Sequence, residues 1–231
     1  MALVTKKADR VVPQFSAETG WKSVPSMAEI EEALELRHTR EVQDKIRKAR
    51  VAVCGLGGLG SNIAFALARC GIGGLHLIDF DCVDLTNLNR QQYSIKHLGM
   101  PKPEALKEEL LEINPYLEIH TDFVKLTEEN VPDLLKDELY ICEAFDDPEA
   151  KAMLTNCVLT HFPEKYLVGA SGMAGFGDSN SIQTRRILSH YYLCGDGVSD
   201  AAQCGGLMAP RVMICAAHQA NKILELIIKG E

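Results

Sequence analysis

The chain has 231 residues, 46% of them hydrophobic, and a formal net charge of −8. That length supplies one large α/β domain or two small ones. The acidic balance excludes the electrostatic footprint of a nucleic-acid binder, and no apolar run approaches the length that crosses a bilayer.

Residues 1–25 show no periodicity and are punctuated by Pro13, Gly20 and Pro25. They are expected to form an extended arm, anchored by Trp21 to the domain or to a second subunit. The charged stretch 1–13 lacks a signal-peptide core. Ser26-Met27-Ala28-Glu29 has capping-box spacing, so a helix is expected from there to about Leu36. Thr39 is placed to cap a second helix through Lys48. The basic break between them, Arg37-His38-Thr39-Arg40, has solvation as its plain role.

The run Val51-Ala52-Val53-Cys54 reads as a buried strand, and Gly55-Leu56-Gly57-Gly58-Leu59-Gly60 as a tight turn. Helical spacing follows over 61–69, with Ile63, Ala64, Leu67 and Ala68 on one side. A strand turning sharply into a helix presents free N–H groups and the positive helix end, which suits phosphate. Glycines let the backbone approach it closely. A second strand, 75–78, ends in Asp79, 19 residues after Gly60, where such folds grip a ribose hydroxyl. The alternative is a glycine turn that only packs a helix on a sheet.

The polar loop beyond that strand holds Asp81, Asp84, Asn87, Asn89, Arg90, Gln91 and Gln92. Open α/β sheets place ligands there, and the fork of Arg90 suits phosphate oxygens; the bland alternative is a hydrated loop of Asn and Asp turns. Pro101-Lys102-Pro103 opens a helix over 104–113. Lys102 opposes that helix's dipole, which points to an external anion unless the side chain snorkels. A strand is expected over 117–124, a short helix over 128–135, and a strand over 139–142 that ends near Asp146 and Asp147. Those carboxylates suit magnesium, or the capping of the helix that runs to about His161. Strands over 166–171 and 179–187, with Gly172, Gly175 and Gly177 between them, read as a hairpin. Residues 188–207 show no element, and Pro210 opens a long amphipathic helix to Ile228. Most of the eight cysteines fall in or beside predicted elements, as small buried apolar residues do, and indicate a reducing cytoplasm. The expected fold is a Rossmann-like, doubly wound, mostly parallel sheet with an antiparallel C-terminal extension.

Several motifs occur in the order seen in ubiquitin-activating-type adenylating enzymes. They are the Gly55–Gly60 turn, Asp79-Phe80-Asp81, Asn87-Leu88-Asn89-Arg90-Gln91, Pro101-Lys102 and Phe145-Asp146. Within that superfamily the chain resembles the shorter form of ThiF, on Ala170-Ser171-Gly172-Met173-Ala174-Gly175, Tyr192-Leu193-Cys194-Gly195-Asp196-Gly197 and Gly206-Leu207-Met208-Ala209-Pro210-Arg211-Val212. The resemblance implies a single adenylating domain over 26–231. It implies magnesium-ATP on the glycine turn, at Gly55, Gly57, Gly58, Leu59 and Gly60, with Asp79 on the ribose and Asp81 and Gln91 beside it. Asn87, Arg90 and Lys102 would contact phosphates, and Asp146 would hold magnesium. The reaction implied is adenylation of the C-terminal glycine of a ThiS-like ubiquitin-fold sulfur carrier in thiamine biosynthesis, by a homodimer. Relatives reach ATP with an arginine from the neighbouring subunit, for which Arg37 and Arg40 are the candidates. Some carry a transfer cysteine, for which Cys194 and Cys204 are the candidates. Two Cys-x-x-Cys pairs that bind zinc in many relatives are absent here, so that zinc site is not expected; Cys194, Cys204 and a histidine fit no standard pattern. A dehydratase acting on tRNA threonylcarbamoyladenosine, an NAD-dependent oxidoreductase and a non-catalytic scaffold are the alternatives.

Overall fold

Continuous apolar runs build the centre of the molecule, because a parallel strand covered on both faces has no side to give to water. In the computed structural model, which describes residues 24–230, seven strands form one sheet. They are β1 (Arg50–Cys54), β2 (Gly74–Asp79), β3 (Glu118–Phe123), β4 (Tyr140–Glu143), β5 (Tyr166–Ala170), β6 (Gln183–Arg186) and β7 (Tyr191–Gly195), in the order β3-β2-β1-β4-β5-β7-β6. Only the β6–β7 pair is antiparallel. Chain order runs outward from β1 in both directions, so a crevice opens beyond the C-terminal ends of β1 and β4.

The helices are α1 (Met27–Glu35), α2 (Arg40–Lys48), α3 (Gly58–Arg69), α4 (Lys102–Ile113), α5 (Val131–Leu134), α6 (Pro148–His161) and α7 (Ala209–Lys229). Ser26 and Glu29 form the expected capping box on α1, and Thr39 caps α2. Ile63 and Leu67 of α3, Leu106 of α4 and Ile223 of α7 share one core layer with Val53 and Leu77. Val131 of α5 and Leu154 and Val158 of α6 cover the other face with Ala52 and Ile78. Among the described residues, no helix is long and apolar enough to cross a membrane. The expected arm, including Trp21, lies outside the described residues except for Val24 and Pro25.

The sheet corrects two expectations. β5 and β6 do not form a hairpin: β5 pairs in parallel with β7, and β6 pairs only with β7, at the sheet edge. Gly172 (φ 78°) instead turns the chain against Asp196 and Gly197. Residues 188–207 are also not structureless, since they contain β7. A smaller difference is in α5, a single turn. Asn130 Oδ1 accepts the Thr127 N–H at 2.8 Å and sets up a turn where a longer helix was expected.

Candidate active site

The turn after β1 is shaped by what cannot fit there. Gly55 has φ 89°, and a Cβ on it would lie 2.9 Å from both the Ala144 carbonyl oxygen and Phe145 Cδ1. A Cβ on Gly60 would lie 1.8 Å from the Gly55 carbonyl oxygen. Helix α3 therefore starts at Gly58, earlier than the expected Ser61, with Gly57 as N-cap and no side chain capping its first turn. The space a Cβ would take at Gly57 meets only the Gln91 amide nitrogen, at 3.8 Å. This leaves a concave, donor-lined helix start at the crevice.

Asp79 closes the turn from β2. Its Oδ2 accepts the Leu56 N–H at 2.6 Å and its Oδ1 accepts the Asp81 N–H at 2.8 Å. Burial raises its carboxyl above the usual aspartate value; Lys102 and the two N–H donors oppose that rise without cancelling it. Lys102 is itself buried and donates to Asp81 Oδ2 at 2.7 Å. The anion that its placement called for is thus present within the chain. Tyr93, a buried phenol whose hydroxyl burial pushes well above its usual range, donates to the Leu56 carbonyl at 2.8 Å.

The polar loop is fastened to α3 by residues outside the expected set. Ser61 Oγ donates to the Gly57 carbonyl at 2.6 Å and accepts the Gln92 N–H at 3.1 Å. Asn62 donates to the carbonyls of Gly58 and Arg90 and accepts from Gln92 Nε2 at 2.7 Å. Their signal was visible as polar residues one helical turn after Gly57 and Gly58, on a face that packs inward. The fastening lays the Arg90 stem over Gly58, with Cγ 3.3 Å from where a Cβ would stand. Among the described residues, the Arg90 guanidinium holds only local oxygens, Asn89 Oδ1 at 2.8 Å and the Thr86 carbonyl at 3.3 Å. Asn87 accepts the Asp84 N–H at 3.0 Å. Gln91 is buried, and its Oε1 has no hydrogen-bond partner among the described residues.

At the end of β4, Asp147 caps α6 through the Ala150 N–H at 2.9 Å. Asp146 is exposed and makes no hydrogen bond or ion pair among the described residues. Buried Glu143 accepts from Lys151 Nζ at 2.9 Å and from the Phe145 N–H at 2.8 Å, so it fixes the strand end that carries Asp146. A further buried pair, Asp196–Arg211 at 2.6 Å, ties the end of β7 to the start of α7. Val212 of α7 then roofs Gly58, with Cγ1 3.0 Å from a Cβ position. Asp196 opposes burial with N–H donors from Ser199 and Val198 and with Arg211, and its carboxyl falls to about 2. The sequence carries both residues inside motifs but implies no pairing between them.

Arg37, Arg40 and Cys194 stand apart from this constellation. Gln43 of α2 donates to the Gly71 carbonyl at the far end of α3 from Gly57. A 12-residue helix is about 18 Å long, so Arg37 and Arg40, which precede Gln43, are not beside the glycine turn of their own chain. Cys194 is fully buried in β7 and burial pushes its thiol up to about 11, which removes the accessible thiolate that a transfer role needs. Cys204 is half-buried in the loop before α7.

The donor-lined helix start, the unpartnered Gln91 Oε1 and the Asp79 carboxylate fit a nucleotide with its phosphates on the turn. One free carboxylate, Asp146, alongside phosphate oxygens fits magnesium, which keeps most of its waters.

The sequence profile of the ThiF family matches residues 31–231. The chain is 30% identical over 220 residues to the molybdopterin-synthase adenylyltransferase of Haemophilus influenzae, covering 88% of each chain. It is 37% identical over 203 residues to the adenylyltransferase and sulfurtransferase MOCS3 of Anopheles gambiae, covering 82% of this chain and 44% of that one. Among solved structures, E. coli tRNA N6-threonylcarbamoyladenosine dehydratase, TcdA, in complex with ATP superposes with a TM-score of 0.79 at 23% identity, over 90% of this chain and 98% of that chain. That last likeness is one of fold.

Proposed function

Because the chain belongs to the ThiF family, we propose that it is an adenylyltransferase that uses ATP to activate the C-terminal glycine of a small ubiquitin-fold sulfur carrier. The observation that carries this reading is the uncapped start of α3, with Arg90 laid across it and Asp79, Lys102 and Asp146 around it. The carrier carboxylate attacks the α-phosphorus of ATP, a phosphorus–oxygen bond forms, and pyrophosphate leaves. Two anions must meet, so fixed positive charge is required between them. The N–H groups of Gly58, Leu59 and Gly60 receive phosphate oxygens, and Arg90 releases its local oxygens to reach them. Lys102 acts through its field, since Asp81 holds it in place. Asn87 and Gln91 orient the phosphates and Asp79 the ribose. Asp146 would hold magnesium, which when bound neutralises phosphate charge.

The relatives' names favour a carrier of the molybdopterin type over the ThiS-like thiamine carrier that the resemblance implied. Residues 26–231 acting as one adenylating domain, a homodimer in which a partner's Arg37 or Arg40 completes the site, and a cytoplasmic setting belong to the same proposal. The likeness in fold to TcdA supports a second reading, adenylation of a carboxylate carried on tRNA. The net charge of −8 argues against it. The test is ATP–pyrophosphate exchange with magnesium and carriers of each type ending in Gly-Gly. Exchange that needs a carrier, and is lost in Arg90→Ala, supports the reading. Exchange driven only by tRNA moves it to the second reading. Tight NAD binding with no exchange overturns both.

A further inference from the structure

On the face of the sheet that carries α5 and α6, β2 and β3 place three metal-ligating side chains together. His76 pairs with His120 in register and Ile78 with Asp122, so His76, His120 and Asp122 occupy alternate positions on one surface. His76 Nε2 lies 2.7 Å from Asp122 Oδ2, and His120 Nε2 lies 3.2 Å from the same oxygen. The three ligand atoms all fall within 4.8 Å of one another. On its other side, His76 Nδ1 lies 2.9 Å from Glu138 Oε1. His76 is 4% exposed, and Glu138, 9% exposed, leaves its Oε2 buried with no donor among the described residues.

A neutral imidazole cannot satisfy two carboxylates, because one ring nitrogen presents a lone pair. With Nδ1–H donated to Glu138, the Nε2 lone pair would face an anionic oxygen, which either a proton on Nε2 or a metal ion held by both atoms answers. A proton on His76 satisfies both carboxylates; a metal ion is the alternative that also uses the lone pair of His120, which converges on the same oxygen. A cavity of about 220 Å³, lined by Arg50, His76, Glu118, His120 and Glu138, opens beside the cluster and has room for water. Arg50 is paired with Glu118, so its charge is already matched.

We propose that His76, His120 and Asp122 form a site for one divalent transition-metal ion of the zinc class, with Glu138 orienting His76 from behind and water completing the coordination. Two imidazoles and a carboxylate with one open position are a common zinc set. A carboxylate behind a ligating histidine fixes its tautomer and raises its basicity. The ion joins the edge strand β3 to β2. This site is separate from the rim that holds Asp79 and Arg90, and from any thiolate site.

The test is a Co2+ titration of the full chain, untagged and metal-stripped, followed by visible absorption and with Zn2+ as competitor. We expect one equivalent to bind, with the absorption of a low-coordinate nitrogen–oxygen site, and to be displaced by Zn2+. His120→Ala, at a side chain that is 70% exposed, and Asp122→Asn should abolish the signal. Glu138→Gln should weaken binding by about 10–100-fold. Cys82→Ser, which alters an exposed thiol elsewhere, should leave it unchanged. Absence of one-equivalent binding, or binding retained in His120→Ala and Asp122→Asn with their melting curves intact, overturns the site.

Discussion

Asp79 gives both carboxylate oxygens to its own backbone, one to Leu56 and one to Asp81. Each oxygen keeps a second lone pair, so the same side chain can shape the turn and accept a ribose hydroxyl. Asp79→Asn puts an NH2 group where one of two N–H donors points. It should cost about 1–3 kcal/mol, the penalty for a buried donor left unpaired, in urea denaturation, and should weaken ATP binding as well. Arg90 behaves differently. Among the described residues its guanidinium holds only Asn89 and Thr86 at the surface, so Arg90→Ala should leave stability within about 0.5 kcal/mol. Exchange should fall by about 10²–10³, the scale for one preorganised donor. That split between stability and rate separates a residue serving the fold from one serving the reaction. It was not legible from sequence, where both were polar residues near a strand end. Lys102 shows the same limit: its unfavourable place on α4 was readable, but the partner that answers it, Asp81, is 21 residues away in sequence.

The glycine turn and the two strands beside it were legible because their signals are local. Continuous apolar runs, a glycine-rich turn and an acid after the second strand all lie within 30 residues of Val51. The β5–β6–β7 region departs from the expected hairpin because its organisation is not local. Burial of β5 required a parallel neighbour, and the strand that supplies it, β7, comes after an exposed edge strand whose four residues all face solvent. The glycines between looked like a hairpin turn and are a contact with the Asp196 loop. At that junction the Asp196–Arg211 pair decides whether α7 stays seated over Gly58. Both side chains are nearly buried, 8% and 9% exposed. Asp196→Ala should therefore cost about 3–5 kcal/mol, because Arg211 keeps a charge that has lost its partner. The pair also sets an acid limit. The folded carboxyl titrates near 2 and the unfolded one near its ordinary 3.8. A lowered pKa contributes stability that is complete above the unfolded value and is lost as pH falls from about 4 to about 2. Comparing acid unfolding of the native chain and Asp196→Asn should show that part of the limb missing in the variant.

At the scale of the whole molecule, the site is a seam between parts that fold together. α3 brings the donors, the loop after β2 brings Arg90, β4 brings Asp146, and α7 closes over Gly58. A ligand that bridges these parts binds the folded state alone and must stabilise it by mass action. At a free ATP concentration of 100 times its Kd the gain is about 2.7 kcal/mol. For a chain of this size each kcal/mol moves Tm by about 2–4 °C, so magnesium-ATP should raise Tm by roughly 5–11 °C. Asp146 is exposed and makes no hydrogen bond or ion pair among the described residues, so Asp146→Ala should leave the melting temperature of the free protein unchanged. If it holds magnesium, the variant should lose the extra shift that magnesium adds to ATP and keep the shift from ATP alone. Differential scanning calorimetry with ATP, with and without magnesium, reads both. A variant that kept the full magnesium-dependent shift would move the metal role away from the end of β4, while the ATP shift alone would still report whether the glycine turn is the nucleotide site.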